Sequence, residues 1–351
     1  MSWWQAIILG IVQGLTEFLP VSSSGHLILT REVMGVHSAD FLLFDILLHV
    51  GSLVAVILIF RKDILKLFKP PFKTLGLLIL ATIPAGIVGV IISLYGPSEL
   101  FDSPIYLWIF FLYTAIILFT AELVSKKQTV PQFFTDCGKG IKKVFTKQYF
   151  IDCGTNIKQF FVDWGISIKS FFGGKKQTNE IEIQNEPENN AAAAETETVS
   201  TEVTKSDEPL PLQDIKLKHT VAMGLMQAVA IFPGASRSGS TIFGGVVTKG
   251  KRESVAKFSF FMSIPIILAA AVWETIDLIR AAGSVEVASN LASVSPWGYA
   301  LGMIAAFVTG IFAIKFMLKL IAKADFKWFA LYLFILSMFT LFYYFVPFFR
   351  G

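Results

Sequence analysis

Six stretches of this chain, residues 41–60, 75–95, 105–123, 258–276, 297–316 and 328–346, are almost wholly apolar. Each has roughly the 20 residues a helix needs to cross the hydrocarbon core of a bilayer. Inside lipid no water satisfies backbone N–H and C=O groups, so a spanning segment must bond to itself, as a helix does. The expected fold class is therefore an all-α polytopic membrane protein with six transmembrane helices. Composition agrees, with 16% of the 351 residues charged and 34 of them Phe. A soluble domain carries nearer a quarter charged residues. The net charge of +4 is modest and unevenly placed, and no nucleic-acid partner is expected from it.

The connections between these stretches differ in charge. Arg61, Lys62, Lys66, Lys69 and Lys73 follow the first, and Lys126 and Lys127 follow the third. Lys249, Lys251, Arg252 and Lys257 precede the fourth, and Lys319, Lys323 and Lys327 separate the last two. The remaining connections are nearly free of Lys and Arg. Basic connections stay in the cytoplasm. The first span must then run inward and the fourth outward. Residues 1–40 are expected to begin and end outside, and residues 217–257 inside. No basic residue precedes Glu17, so the N-terminal segment reads as mature protein and not as a cleaved leader.

Two polar stretches lie in those two segments, and they match. Shifted by 214 positions, Gly10 falls on Gly224, Gln13 on Gln227, Phe18 on Phe232, Ser22 on Ser236, Ser24 on Ser238 and Gly25 on Gly239. Each stretch has Gly and Pro at its middle, which interrupt a helix. The expectation is an inverted-topology repeat, with two re-entrant helix–loop–helix pairs meeting near the membrane midplane. The first repeat is read as residues 1–124 and the second as 217–351.

Residues 125–216 read as a cytoplasmic insert. Its first part repeats a phrase three times, starting at Asp136-Cys137-Gly138, Asp152-Cys153-Gly154 and Asp163-Trp164-Gly165. From Lys126 to Lys176 it holds ten Lys against three Asp. This fits basic amphipathic helices on an anionic leaflet, and equally a small hairpin packed on itself. From Gln177 to Asp214 ten acids stand against one Lys, which suggests a disordered tether. Cys137 and Cys153 match no metal-binding spacing and are expected as free thiols on a reducing face.

The two copies differ in what chemistry they carry. The first brings Glu17, the hydroxyls of Ser22, Ser23 and Ser24, and His26; the second brings Arg237 among Gly234, Ser236, Ser238, Gly239 and Ser240. Ionisable groups inside a membrane are costly and mark function. A guanidinium fork suits phosphate or carboxylate, and amides in Gly-rich turns at helix N-termini point at anions. Together they describe an oxyanion pocket holding a base and a nucleophile, the parts phosphoryl transfer requires. Ser and Gly clusters also serve close helix packing, and that reading stands beside this one. Asp45 and His49, one turn apart, either extend the site or hydrogen-bond each other, and the second is the expectation. Gln13 and Gln227 are expected as interhelical hydrogen-bond partners, with a cation-binding role open for Gln13. Glu122 and Glu274, near span ends, are expected to face water.

The stretches Gly14-Leu15-Thr16-Glu17-Phe18-Leu19-Pro20-Val21-Ser22-Ser23-Ser24-Gly25-His26 and Pro233-Gly234-Ala235-Ser236-Arg237-Ser238-Gly239 resemble the undecaprenyl-diphosphate phosphatase (bacitracin-resistance protein) family. The resemblance implies a multi-pass enzyme of the bacterial inner membrane. It would hydrolyse undecaprenyl diphosphate to undecaprenyl phosphate, recycling the lipid carrier for peptidoglycan synthesis. It assigns family roles to Glu17, Ser22, Ser23, His26 and Arg237. Where many members have a second Glu, this chain has Gln13, which weakens a two-carboxylate metal site.

On this reading Arg237 and Ser236 hold the diphosphate, Ser23 attacks, and His26 acts as base. Glu17, with a weaker contribution from Gln13, binds a divalent cation, Mg2+ or Ca2+. A rival assignment makes His26 the nucleophile. The expected partners are the polyprenyl diphosphate, membrane lipids and a second copy in a homodimer. The alternative function is a lipid flippase or an organic-anion transporter, since inverted repeats with broken helices also mark transporters.

Overall fold

A computed structural model describes residues 1–36, 42–96, 104–127, 132, 212–281, 294–323 and 325–345. All of them belong to one compact unit formed by Met1–Phe133 and Pro209–Gly351. The repeated phrases of the insert, Cys137, Cys153 and the acidic tether lie outside the described residues.

The described residues are helical, with no strand among them. In chain order the helices are α1 (Trp3–Thr16), α2 (Ser23–Val33), α3 (Leu42–Leu67), α4 (Lys73–Tyr95), α5 (Leu107–Lys126), α6 (Leu217–Val229), α7 (Arg237–Val247), α8 (Arg252–Ala281), α9 (Pro296–Lys323) and α10 (Lys327–Phe345). Six of them are long and apolar enough to cross a membrane: α3, α4, α5 with the short turn before it, α8, α9 and α10. These are the six spans expected from sequence, but most run further. The helix α3 continues to Leu67 through Arg61, Lys62, Asp63 and Lys66, and α8 begins at Arg252. An apolar window stops at the first charges, whereas a helix continues past them because its backbone bonds do not depend on side-chain polarity.

The pairing of helices repeats between the two halves. Helix α1 packs on α9 as α6 packs on α4, α3 packs on α8, and α5 packs on α10. The two short pairs, α1 with α2 and α6 with α7, are each in contact. Small residues let the backbones approach. A Cβ on Gly10 would stand 2.3 Å from the Gly302 carbonyl oxygen, and one on Gly224 would stand 2.7 Å from that of Ala81. Equivalent glycines thus make equivalent crossings.

Charged contacts fix which ends lie together. Lys257 pairs with Asp63 at 2.8 Å, Arg252 with Glu122 at 3.0 Å, and Lys126 with Asp325. The ends of α3 and α5, the start of α8 and the α9–α10 connection therefore share one face, the basic one. Asp214, just before α6, pairs with Lys251 at that face. Met1 lies at the other end, where its carbonyl accepts from Ser295 N at the start of α9. The two broken pairs thus enter the bundle from opposite ends.

Glu122, expected to face water, is fully buried. Its carboxylate forms an ion pair with Lys126 at 2.8 Å and accepts from Arg252 and the Phe326 amide. The expectation failed because Arg252 from the start of α8 and a backbone amide from the α9–α10 connection converge on this helix end, which no local window reveals.

Candidate active site

Each polar stretch folds as two short helices with a turn between them. Pro20 and Pro233 fall in these turns, where a missing N–H costs no helix bond. The second helix of each pair starts on a serine cap: Ser22 Oγ accepts from Gly25 N at 3.4 Å, and Ser236 Oγ from Gly239 N at 3.1 Å. The serine two positions on lies close in each copy, with Ser22 Oγ 3.4 Å from Ser24 Oγ and Ser236 Oγ 3.2 Å from Ser238 Oγ. Gly234 turns the second loop at φ 90, which glycine adopts readily.

The two turns touch. Ser238 Oγ donates to the Leu19 carbonyl at 2.8 Å, and Gly234 N to Ser24 Oγ at 3.4 Å. Helix α5 supports the second turn, Thr114 Oγ1 accepting from Ser236 N at 3.0 Å. At the junction Arg237 Nη2 donates to Glu17 Oε1 at 2.6 Å. The other carboxylate oxygen, Oε2, accepts from Ser23 Oγ at 2.6 Å and from Gln13 Nε2 at 3.1 Å. Glu17 is 7% exposed, so burial of its charge is compensated by a guanidinium and two neutral donors.

A cavity of about 160 Å³ opens at this point. Glu17, Ser22, Ser23, Ser24, His49, Ser236, Arg237 and Ser238 form its polar side, with Glu274 on α8. Ile266, Ile267, Ala270 and Ala271, also on α8, form an apolar wall. One space therefore offers a hydroxyl bonded to a carboxylate, a guanidinium, and an apolar flank.

Other expected site residues lie elsewhere. His26 is not among the residues lining the cavity. Its Nδ1 lies 2.6 Å from the Ser22 carbonyl oxygen and its Nε2 2.6 Å from Tyr332 Oη. The hydroxyl of Ser23 is bonded to Glu17, where a His26 base would have needed it for itself. Ser240 is buried, 3.3 Å from Tyr113 Oη, and Gly234 and Gly239, whose amides are bonded to serine hydroxyls, do not line the cavity.

His49 shows what the sequence left open. Its Nδ1 donates to the Asp45 backbone carbonyl at 2.8 Å, and its Nε2 lies 4.0 Å from Glu17 Oε2. The Asp45 carboxylate pairs instead with Arg31. Of the expected pair, His49 extends the cavity and Asp45 does not. Glu274, expected to face water, lines the cavity half-buried. Tyr332 carried no signal at all, being one aromatic residue in an apolar run.

Gln13 bridges helices as expected, with Nε2 3.5 Å from Ser52 Oγ on α3. Gln227 does not: both its amide atoms are buried without a hydrogen-bond partner among the described residues. Among the described residues no three His, Cys, Asp or Glu side chains group as metal ligands. One observation still fits a cation beside Glu17. The Gln13 Oε1 is buried without a partner among the described residues, while its nitrogen faces the carboxylate. Turning the amide over would bring two ligand oxygens, Gln13 Oε1 and Glu17 Oε2, to one side.

Comparison with known proteins bears on this arrangement. The model of the family described as bacitracin resistance protein BacA matches residues 6–148 and 192–339. A protein named undecaprenyl-diphosphatase from Carboxydothermus hydrogenoformans is 34% identical over 96% of each chain. Relatives of the same name from Methanobrevibacter smithii and Parabacteroides distasonis are 32% and 29% identical, covering 95% or more of each chain.

Proposed function

The chain belongs to the bacitracin resistance protein BacA family, and from that premise we propose that the cavity between its two broken helix pairs hydrolyses undecaprenyl diphosphate. The protein is a multi-pass membrane phosphatase; its product, undecaprenyl phosphate, returns to peptidoglycan synthesis, and its activity confers resistance to bacitracin. The names of its relatives give no support to a flippase or an anion transporter. Location in the bacterial inner membrane, and re-entry of both pairs at the midplane, are part of the proposal.

One observation carries the site assignment. Arg237 and Glu17, from opposite ends of the bundle, meet at 2.6 Å in a cavity that also holds Ser23. Arg237 holds the terminal phosphate oxygens, with Ser236 beside it as a hydroxyl donor. Ser23 Oγ bonds to the terminal phosphorus as its proton passes to Glu17 Oε2. The bond from that phosphorus to the bridging oxygen breaks, and undecaprenyl phosphate leaves with the bridging oxygen. Water then cleaves the phosphoserine and yields inorganic phosphate. The apolar wall on α8 faces the lipid end of the substrate, whose chain cannot leave the bilayer.

Glu17 and Gln13 are proposed to hold a divalent cation, Mg2+ or Ca2+. When bound it supplies charge neutralisation of the phosphate oxygens. Phosphate release by purified protein in detergent tests the reading directly. Wild type is expected to release phosphate from undecaprenyl diphosphate, and Ser23→Ala to lose that activity. An unchanged rate in Ser23→Ala would remove Ser23 from the reaction.

A further inference from the structure

The backbone just before the attacking serine is unusual. Ser22 has φ 71 and ψ 101, a region that residues with a Cβ adopt at an energetic cost. That turn sets the direction in which Ser23 leaves the chain, and Ser23 Oγ reaches Glu17. Something must hold Ser22 in place. Its carbonyl oxygen accepts from His26 twice, from the backbone N at 3.3 Å and from ring Nδ1 at 2.6 Å.

The chemistry of these atoms assigns the proton. A carbonyl oxygen only accepts, so Nδ1 carries hydrogen. In the neutral ring Nε2 then has a lone pair, and the Tyr332 hydroxyl donates to it at 2.6 Å. The imidazole stacks on the Tyr332 ring at 5.7 Å between centroids, and the edge of Phe111 closes another side at 5.6 Å. Both ring nitrogens are occupied, by partners other than Ser23.

The second copy serves as an internal control. Shifted by 214 positions, Ser22 corresponds to Ser236 and His26 to Ser240. Ser236 caps its helix at φ −82 and ψ 115, ordinary extended backbone. Ser240 lies 3.3 Å from the hydroxyl of Tyr113 on α5. In both copies, then, the residue four past the cap meets a tyrosine from the last helix of the other half. The imidazole and the left-handed cap occur together, in the copy that carries Ser23.

We propose that Tyr332 and His26 act as a positioning pair: Tyr332 orients the imidazole, the imidazole grips the Ser22 carbonyl, and the held turn aims Ser23 at Glu17. His26 is then neither base nor nucleophile. This rests on Ser23 being the attacking group.

Substitution at His26 separates the roles, because Asn keeps a donor near the place of Nδ1 whereas Gln and Ala do not. His26→Asn is expected to keep kcat within about tenfold of wild type, with the same shape of pH profile. His26→Ala and His26→Gln are expected to fall well below it, and Tyr332→Phe to lower kcat several-fold with KM unchanged. A base or nucleophile would make Asn as damaging as Ala, by about 10²–10⁴-fold, and that result overturns the proposal. A second measurement needs no turnover. Nitrogen-15 spectra of histidine-labelled full-length protein should show His26 protonated at Nδ1 and bare at Nε2, with Tyr332→Phe moving the Nε2 resonance. An Nε2-protonated ring overturns the pairing. If wild type released no phosphate the functional reading would fail, and the spectra would still decide this one.

Discussion

Arg237 Nη2 and Glu17 Oε1 stand 2.6 Å apart although 220 positions separate them in the chain. Neither half of the protein has both groups, so the site exists only where the halves meet. Arg237→Ala removes the phosphate clamp and leaves Glu17 buried without its cation. The expected outcome is a loss of phosphate release of about 10²–10³-fold. Folding stability should also fall by about 3–5 kcal/mol, the usual effect of stranding a buried charge. Phosphate release and a thermal unfolding scan on the same preparation check both. Arg237→Lys should recover stability better than activity, because an ammonium pairs with a carboxylate but lacks the guanidinium fork.

Gln13 offers the site an amide where a carboxylate would bind a cation more tightly. Gln13→Glu places a second negative charge beside Glu17, since the Gln13 nitrogen lies 3.1 Å from Glu17 Oε2. In protein stripped with a chelator, this variant should reach half-maximal activity at lower Mg2+ or Ca2+ than wild type. Gln13→Ala should require more. Identical metal titrations for all three would exclude Gln13 from the cation site.

Gly14 lies where α1 crosses α9. A Cβ there would stand 2.1 Å from Thr309 Oγ1 and 2.4 Å from the Ala306 carbonyl oxygen. The backbone cannot yield as a flexible side chain does. Gly14→Ala should destabilise by about 1–3 kcal/mol or more, read as a lower unfolding midpoint in detergent. Outside its own stretch of helix backbone, Gly76 has no heavy atom of the described residues within 4 Å of its added Cβ, and Gly76→Ala should leave the midpoint unchanged or raise it.

Asp325, in the connection between α9 and α10, titrates below the usual carboxylate range. Burial works to raise it, but hydrogen bonds and charge from Lys126 and Lys327 outweigh burial. A depressed acid stabilises the fold above its unfolded pKa, and that contribution is lost as pH falls through the folded value. The stability difference between wild type and Asp325→Asn should therefore be present at neutral pH and shrink below about pH 4. The effect will be small, because the group is partly exposed and solvent screens it. Unfolding midpoints of both proteins across pH 3–7 check the sign.

The sequence alone determined the fold class and the pieces of the site. Apolar length fixes a spanning helix, because lipid leaves the backbone no partner but itself, and six such lengths are legible without any coordinates. The shift that lays Ser22 on Ser236 exposed the duplication, and basic connections marked which helix ends lie together. These signals are local, or repeat at a fixed spacing. Which polar groups touch is different. His26 and His49 look alike as residues, yet only His49 borders the cavity, while His26 turns to Tyr332 on α10. Ser23 finds Glu17, and Glu122 is buried against Arg252 from the start of α8 and the Phe326 amide from the α9–α10 connection. Hydrogen bonds reach about 3 Å, so partners are set by how helices distant in sequence rotate and cross. Packing through Gly10, Gly14 and Gly224 decides that rotation, and only the assembled tertiary structure contains it.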